Sequence, residues 1–258
     1  MRIALGIEYD GTGFSGWQRQ TGTRTVQGCL EVALSKVADR DVSLICAGRT
    51  DAGVHAVGQV AHFDTVAVRE MRSWVLGANA NLPKAISVQW ATEIDESFHA
   101  RFSALSRRYR YVILNRWVRP GLAGRKVTWV HTPLDEARMQ EAAAHLVGRH
   151  DFSSYRALAC QAKSPIRTVH GISVERDGDY VYLDIHANAF LHHMVRNIAG
   201  VLIDIGKGER ATAWSREILE LRDRTLGGVT APPDGLYFTH VEYPESYPLP
   251  AAVRPPRF

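Results

Sequence analysis

No run of about 18 apolar residues, the length a membrane-spanning helix needs, interrupts this chain of 258 residues. A transmembrane anchor is therefore not expected. The amino terminus, Met1-Arg2-Ile3-Ala4-Leu5, passes straight into a strand pattern and lacks the cleavage region of a secretory leader. Cysteine is scarce. Cys29, Cys46 and Cys160 have no metal-like spacing, and three thiols cannot all pair. A reduced, cytoplasmic compartment follows as the simplest expectation. Composition is otherwise ordinary, with 45% hydrophobic and 22% charged residues, which places the chain among globular proteins. Its length suffices for one large domain or two small ones with a sizeable core.

Acidic residues are missing from a whole segment. Between Ser97 and Leu134 there are eight basic residues (Arg101, Arg107, Arg108, Arg110, Arg116, Arg119, Arg125 and Lys126) and no Asp or Glu. Tyr109, Tyr111, Trp117 and Trp129 are interleaved with them. The net charge of +4 is modest, so the clustering is the informative feature. Basic residues mixed with aromatics suit a polyanion with bases to stack on. The competing reading is a solvated basic face that only aids solubility.

Hydrophobic periodicity sets out two runs of elements. Ile3, Leu5, Ile7 and Tyr9 alternate as a strand. A helix capped by Thr25 follows, then strands at Val42–Ala47 and Gln59–Phe63, a helix over Val68–Asn79 and a strand over Ile86–Glu93. The second run starts with a strand over Leu105–Leu114. Thr132, followed by Pro133, is expected to cap the next helix. A hairpin about Asp177-Gly178 joins Val169–Val174 to Tyr180–Ala187. A helix over Phe190–Ile205, a short helix near Ala213–Leu221 and a strand near Tyr237–Glu242 complete it. Strand-helix-strand-strand-helix-strand, twice, predicts an α+β chain of two ferredoxin-like units. The expected divisions are 1–102, 103–245 and an extended proline-rich tail over 246–258.

The chemistry concentrates in Ala47-Gly48-Arg49-Thr50-Asp51-Ala52-Gly53-Val54-His55-Ala56, a loop carrying a guanidinium, a carboxylate and an imidazole within seven positions. A lone Asp in such a turn is ordinarily a turn former. Arg49 changes the weighing, because a neighbouring guanidinium keeps a carboxylate ionised, as a nucleophile or base requires.

This loop closely resembles the signature of the tRNA pseudouridine synthase A family. Other segments resemble that family in the same order. They are Tyr9-Asp10-Gly11-Thr12-Gly13-Phe14-Ser15-Gly16-Trp17-Gln18, Phe98-His99-Ala100-Arg101-Phe102-Ser103, Arg107-Arg108-Tyr109-Arg110-Tyr111, Asn188-Ala189-Phe190-Leu191-His192-His193-Met194-Val195-Arg196-Asn197 and Ala231-Pro232-Pro233-Asp234-Gly235-Leu236. The resemblance implies the pseudouridine synthase fold with a central cleft. It implies isomerisation of uridine to pseudouridine in tRNA, at positions 38–40 of the anticodon arm, without cofactor or metal, by a homodimer. Asp51 would be the catalytic nucleophile, Arg49 would hold the flipped-out nucleotide, and Arg196 would keep Asp51 charged. Tyr109 would contact the uridine, with Arg19, Arg107, Arg108, Arg110 and His55 as further substrate-binding residues.

Two other readings compete. Gly11-Thr12-Gly13-Phe14-Ser15-Gly16 formally satisfies a dinucleotide-binding pattern, as in a nucleotide-dependent oxidoreductase. Against it, the helical pattern starts only near Thr25, and Glu31, where the ribose-binding acid is sought, lies inside that helix. A non-catalytic RNA-binding protein on the same fold would keep the basic stripe without needing Asp51 beside Arg49. His55, His192 and His193 have no third partner at a convincing metal spacing.

Overall fold

A computed structural model describes residues 1–250 and 254–258. The chain divides into two compact units, Met1–Leu105 with Tyr237–Arg257, and Ser106–Leu236 with Phe258. No helix among the described residues is long and apolar enough to cross a membrane.

The first unit runs β1 (Arg2–Tyr9), α1 (Val26–Ala38), β2 (Ile45–Cys46), β3 (His55–Asp64), α2 (Met71–Asn81) and β4 (Ile86–Ile94). Strand β1 pairs antiparallel with both β3 and β4, and β2 adds antiparallel to β3. Ile3, Leu5 and Ile7 are opposite Phe63, Ala61 and Gln59, so one face carries the apolar side chains. On that face Phe63 meets the edge of Trp74 from α2 at 5.2 Å, and both rings are buried. Each such burial contributes roughly 2–3 kcal/mol. Thr25 caps α1 as the sequence predicts, accepting from the Gly28 N–H at 3.3 Å.

The strand expected over Val42–Ala47 shrinks to two residues for a specific reason. Val42 and Leu44 do bury their side chains, but their N–H groups donate to Ser35 Oγ and Glu31 Oε1 of α1 at 2.9 and 3.0 Å. Those bonds replace a strand ladder. Helix α2 begins at Met71 rather than Val68, since Val66 and Val68 stay exposed and offer no apolar stripe to bury.

The second unit runs β5 (Ser106–Asn115), β6 (Thr128–Val130), α3 (Glu136–Ala144), β7 (Gly148–Asp151), β8 (Ile166–Asp177), β9 (Tyr180–Ala187), α4 (Met194–Gly206) and α5 (Trp214–Leu221). Strands β5, β9, β8 and β7 are neighbours in that order, all antiparallel, and the short β6 lies parallel to β5. Strands β6 and β7 have no clear periodicity in the sequence. Helix α3 is capped by Asp135, which accepts from the Arg138 N–H at 3.0 Å, so Thr132 is not the cap. Helix α4 starts four residues later than Phe190, because His193 takes a left-handed conformation (φ 62°) and breaks the pattern before it.

The last strand, β10 (Leu236–Glu242), pairs Tyr237 and Phe238 in parallel with His55 and Ala56 of β3. That pairing draws 237–245 to the first unit, whereas element order alone assigns them to the second. The tail does not simply extend. Tyr247 turns back on Pro244 with an N–H···O bond of 3.0 Å and packs against Phe98, while residues 251–253 lie outside the described residues.

Candidate active site

In the first unit, the loop from Ala47 to Val54 is pinned at both ends and in the middle. The Ala47 N–H donates to Val60 O at 2.8 Å, and the buried Gln59 side chain donates to Gly48 O at 2.7 Å. Thr50 anchors the centre. Its hydroxyl bonds to Tyr9 Oη at 2.8 Å, and its carbonyl accepts from the Trp17 N–H at 3.0 Å. Gly53 is left-handed (φ 81°), and the Val54 N–H closes a tight turn on Asp51 O at 3.2 Å. Asp51 is half-buried at the crest of this turn and Arg49 is exposed beside it. A carboxylate on a loop so fixed is held in place without waiting for substrate, which nucleophilic or base chemistry favours.

The glycines that mimic a dinucleotide fingerprint form the bed for this loop. Helix α1 opens at Val26, well beyond them, and Gly11–Gly13 makes only a single 3₁₀ turn. A Cβ at Gly11 would collide with the Val54 carbonyl, and one at Gly16 would stand 2.7 Å from Thr50 O. Bare backbone is needed there so that two loops can touch. Glu31 is buried and accepts from Gln27, Leu44 N–H and Arg19, so it braces α1 from inside. Trp17 packs against Tyr9 in the core.

His55 closes the loop as an internal residue. Its Nδ1 accepts from the Gly11 N–H at 3.1 Å and lies 3.2 Å from Asp10, and its ring stacks on Tyr237 at 4.7 Å. Burial of that imidazole, which the sequence groups with the substrate-binding residues, suits holding the loop. Arg19 is exposed, with its guanidinium 3.1 Å from Glu31. Burial pushes the Cys46 thiol up to about 12, against the opposing pull of Arg49 and Arg101.

In the second unit, the pleat of β5 separates two sets of side chains. Tyr109 and Tyr111 are opposite Ile185 and Leu183, whereas Arg108 and Arg110 are opposite His186 and Asp184. Tyr109 is only 8% exposed, less open than its flanking arginines suggest, because the Phe190 ring meets it edge-on at 4.9 Å. Arg107 donates to Asn188 O at 3.0 Å, and Arg108 is exposed. Arg110 differs from both. Its guanidinium forms two bonds of 2.8 and 2.7 Å to Asp184 and lies over Tyr182, largely buried. Asp184 raises its already high pKa further. Arg110, which the sequence groups with the substrate-binding residues, is thereby a strand-to-strand tie.

Arg196 falls in the first turn of α4. Its Nε donates to Ala231 O at 2.8 Å, while the Ala231 N–H donates to its carbonyl at 3.1 Å. The Ala231–Leu236 segment is held again by Tyr111, whose hydroxyl donates to Pro232 O at 2.8 Å. Burial raises the Tyr111 pKa, partly offset by Thr128 and by the Arg196 charge. So β5, the start of α4 and the 231–236 segment converge around Tyr111 and Arg196. Thr50, Gln59 and Phe190 are supporting residues that sequence reasoning missed. Thr50 and Phe190 lie inside the motifs already noted, but nothing local marks them as supports.

The sequence model of a family described as tRNA pseudouridine synthase matches residues 6–103 and 142–244. The tRNA pseudouridine synthase A of Nitrosococcus oceani is 60% identical over 255 residues, covering 99% of this chain and 98% of that protein. The protein of the same name from Alcanivorax borkumensis is 59% identical, covering 96% and 94%. That of Pseudomonas aeruginosa is 58% identical, covering 100% and 90%. With both units matched and identity this high over nearly the whole length, the chain belongs to the tRNA pseudouridine synthase family.

Proposed function

We propose that this protein isomerises uridine to pseudouridine in tRNA, with Asp51 as the catalytic residue. The observation that carries the reading is the Asp51 loop, anchored through Thr50, Gln59 and Gly53, in a chain that belongs to this family. The reaction breaks the C1′–N1 bond, turns the uracil and forms C5–C1′; the C5 proton leaves and N1 gains one. Atoms and oxidation state balance without a redox partner. A carboxylate serves by attack at C1′, as in retaining glycosidases, or by removing the C2′ proton to give a glycal. Either way the nucleotide must leave the stack.

Arg49, exposed beside Asp51, suits a role in holding the flipped-out geometry. Tyr109 contacts the target base and Arg196 contributes a fixed positive charge to the carboxylate chemistry. Arg19, Arg107 and Arg108 bind phosphates. The finer expectations rest on motif likeness: positions 38–40 of the anticodon arm, a homodimer, and cytoplasmic location. The β4-β1-β3-β2 neighbour order of the first unit supports a ferredoxin-like description of it.

The experiment is incubation with an unmodified tRNA transcript, followed by mapping of pseudouridine, for wild type and Asp51→Asn. Wild type should convert uridine. The Asn variant should lose conversion by at least about a thousand-fold while tRNA binding stays within a few-fold, since shape is kept and charge removed. Turnover by the Asn variant near wild type would take Asp51 out of the chemical step.

A further inference from the structure

We propose that Trp117 is a base-stacking residue for the RNA substrate, on a contact separate from the residues assigned to chemistry; this rests on the tRNA reading above. The segment between β5 and β6 stands clear of its unit. An added Cβ at Gly121 or Gly124 would meet nothing within 4 Å, and Leu122 is fully exposed. Trp117 is 80% exposed, although a ring of that size is ordinarily drawn into a core. It meets the His131 ring edge-on at 6.3 Å, a contact that leaves most of its surface open to solvent.

The support beneath it is ordered. Trp129 lies 5.8 Å from His131 and donates its indole N–H to Arg116 O at 2.8 Å, and Arg116 Nε donates to Val118 O at 2.9 Å. The backbone on both sides of Trp117 is thus tied down while the side chain projects. Arg116, Arg119, Arg125 and Lys126 flank it in sequence, with no acid in the segment. Arg116 lies 3.6 Å from Asp179 and Arg125 3.6 Å from Asp234, pairs that leave both guanidinium groups exposed. An open aromatic face amid surplus positive charge matches an unpaired base flanked by phosphates. Protein partners that bury apolar surface would instead favour few charges at the core of the contact. Six residues of extended strand separate Tyr109 from Asn115, about 20 Å. A nucleotide on Trp117 is therefore not the one at Tyr109.

The test measures affinity for an unmodified tRNA transcript with wild type, Trp117→Ala, Trp117→Phe and Leu122→Ala, alongside molecular mass by light scattering. Trp117→Ala should bind roughly ten- to a hundred-fold more weakly, the loss of one stacked base. Trp117→Phe should recover most of that, and Leu122→Ala should match wild type, with mass unchanged throughout. Wild-type affinity in Trp117→Ala overturns the proposal. So does a fall in mass with Trp117→Ala and Leu122→Ala alike, which would make the loop a contact between protein chains. Wild type that binds tRNA but forms no pseudouridine would sink the functional reading and leave the stacking result standing.

Discussion

At the residue scale, His62 shows how tightly the first unit is built around its motifs. Its Nδ1 accepts from the Ala100 N–H at 3.1 Å, and its ring meets Phe98 and His99. Burial, with Arg2 and His99 adding positive charge, pulls its pKa down from the ordinary imidazole value to about 4, against a small opposing effect of Asp64. The folded pKa lies below the unfolded one, so the unfolded chain binds the extra proton. The stability is complete above about pH 6.5 and is lost as pH falls toward 4, by up to about 3 kcal/mol. His62→Asn keeps an acceptor near Ala100 and cannot titrate. The difference in unfolding free energy between wild type and this variant should therefore change between pH 7 and pH 4.5. A difference constant across that range would show that His62 is protonated without cost.

At the element scale, α4 is apolar on nearly every side, and one small residue lets the 229–231 segment cross it. A Cβ at Gly200 would collide with the Val229 carbonyl, and Ala231 one turn away holds both the backbone and the guanidinium of Arg196. Gly200→Ala ought to favour the isolated helix by up to about 1 kcal/mol. Here it must instead push the crossing strand of chain outward, at a cost of about 1–3 kcal/mol. The expected outcome is a lower melting temperature together with weaker pseudouridine formation, because the Arg196 clamp moves with Ala231. A stabilised Gly200→Ala protein would mean that the segment yields freely.

At the scale of the whole molecule, a net charge of +4 understates how unevenly charge is spread along the chain, since 97–134 holds eight basic residues and no acid of its own. Affinity for tRNA should fall steeply with salt as counterions are released. Arg116, Arg119 and Arg125 are all exposed. Reversing the three to Glu should weaken binding at low salt and flatten the log–log slope by about two to three, nearly one for each phosphate no longer neutralised. Equilibrium binding across a salt series would check this, and an unchanged slope would place the RNA elsewhere. Arg110 is left out of that set because its guanidinium is buried against Asp184, whereas the pairs of Arg116 and Arg125 leave them exposed.

What the sequence determined by itself was local. The alternation in β1, the Thr25 cap, the β8–β9 hairpin and the motif loop around Asp51 all follow from residue type and spacing, and the order of motifs pointed to the family. Only the tertiary structure decided which charged groups are spent internally. Arg108 and Arg110 read alike along the chain, yet Arg108 stays exposed while Arg110 is captured, because the antiparallel register sets Asp184 directly opposite it. His55 and Glu31 were likewise assigned to internal bracing by contacts ten or more residues away in sequence. The glycines at 11 and 16 formally fit a dinucleotide pattern along the chain, and it is the distant Val54 and Thr50 backbones that explain why no side chain fits there. Long-range pairing is what distinguishes these cases, and a linear pattern of charge and glycine carries no information about which distant group will arrive.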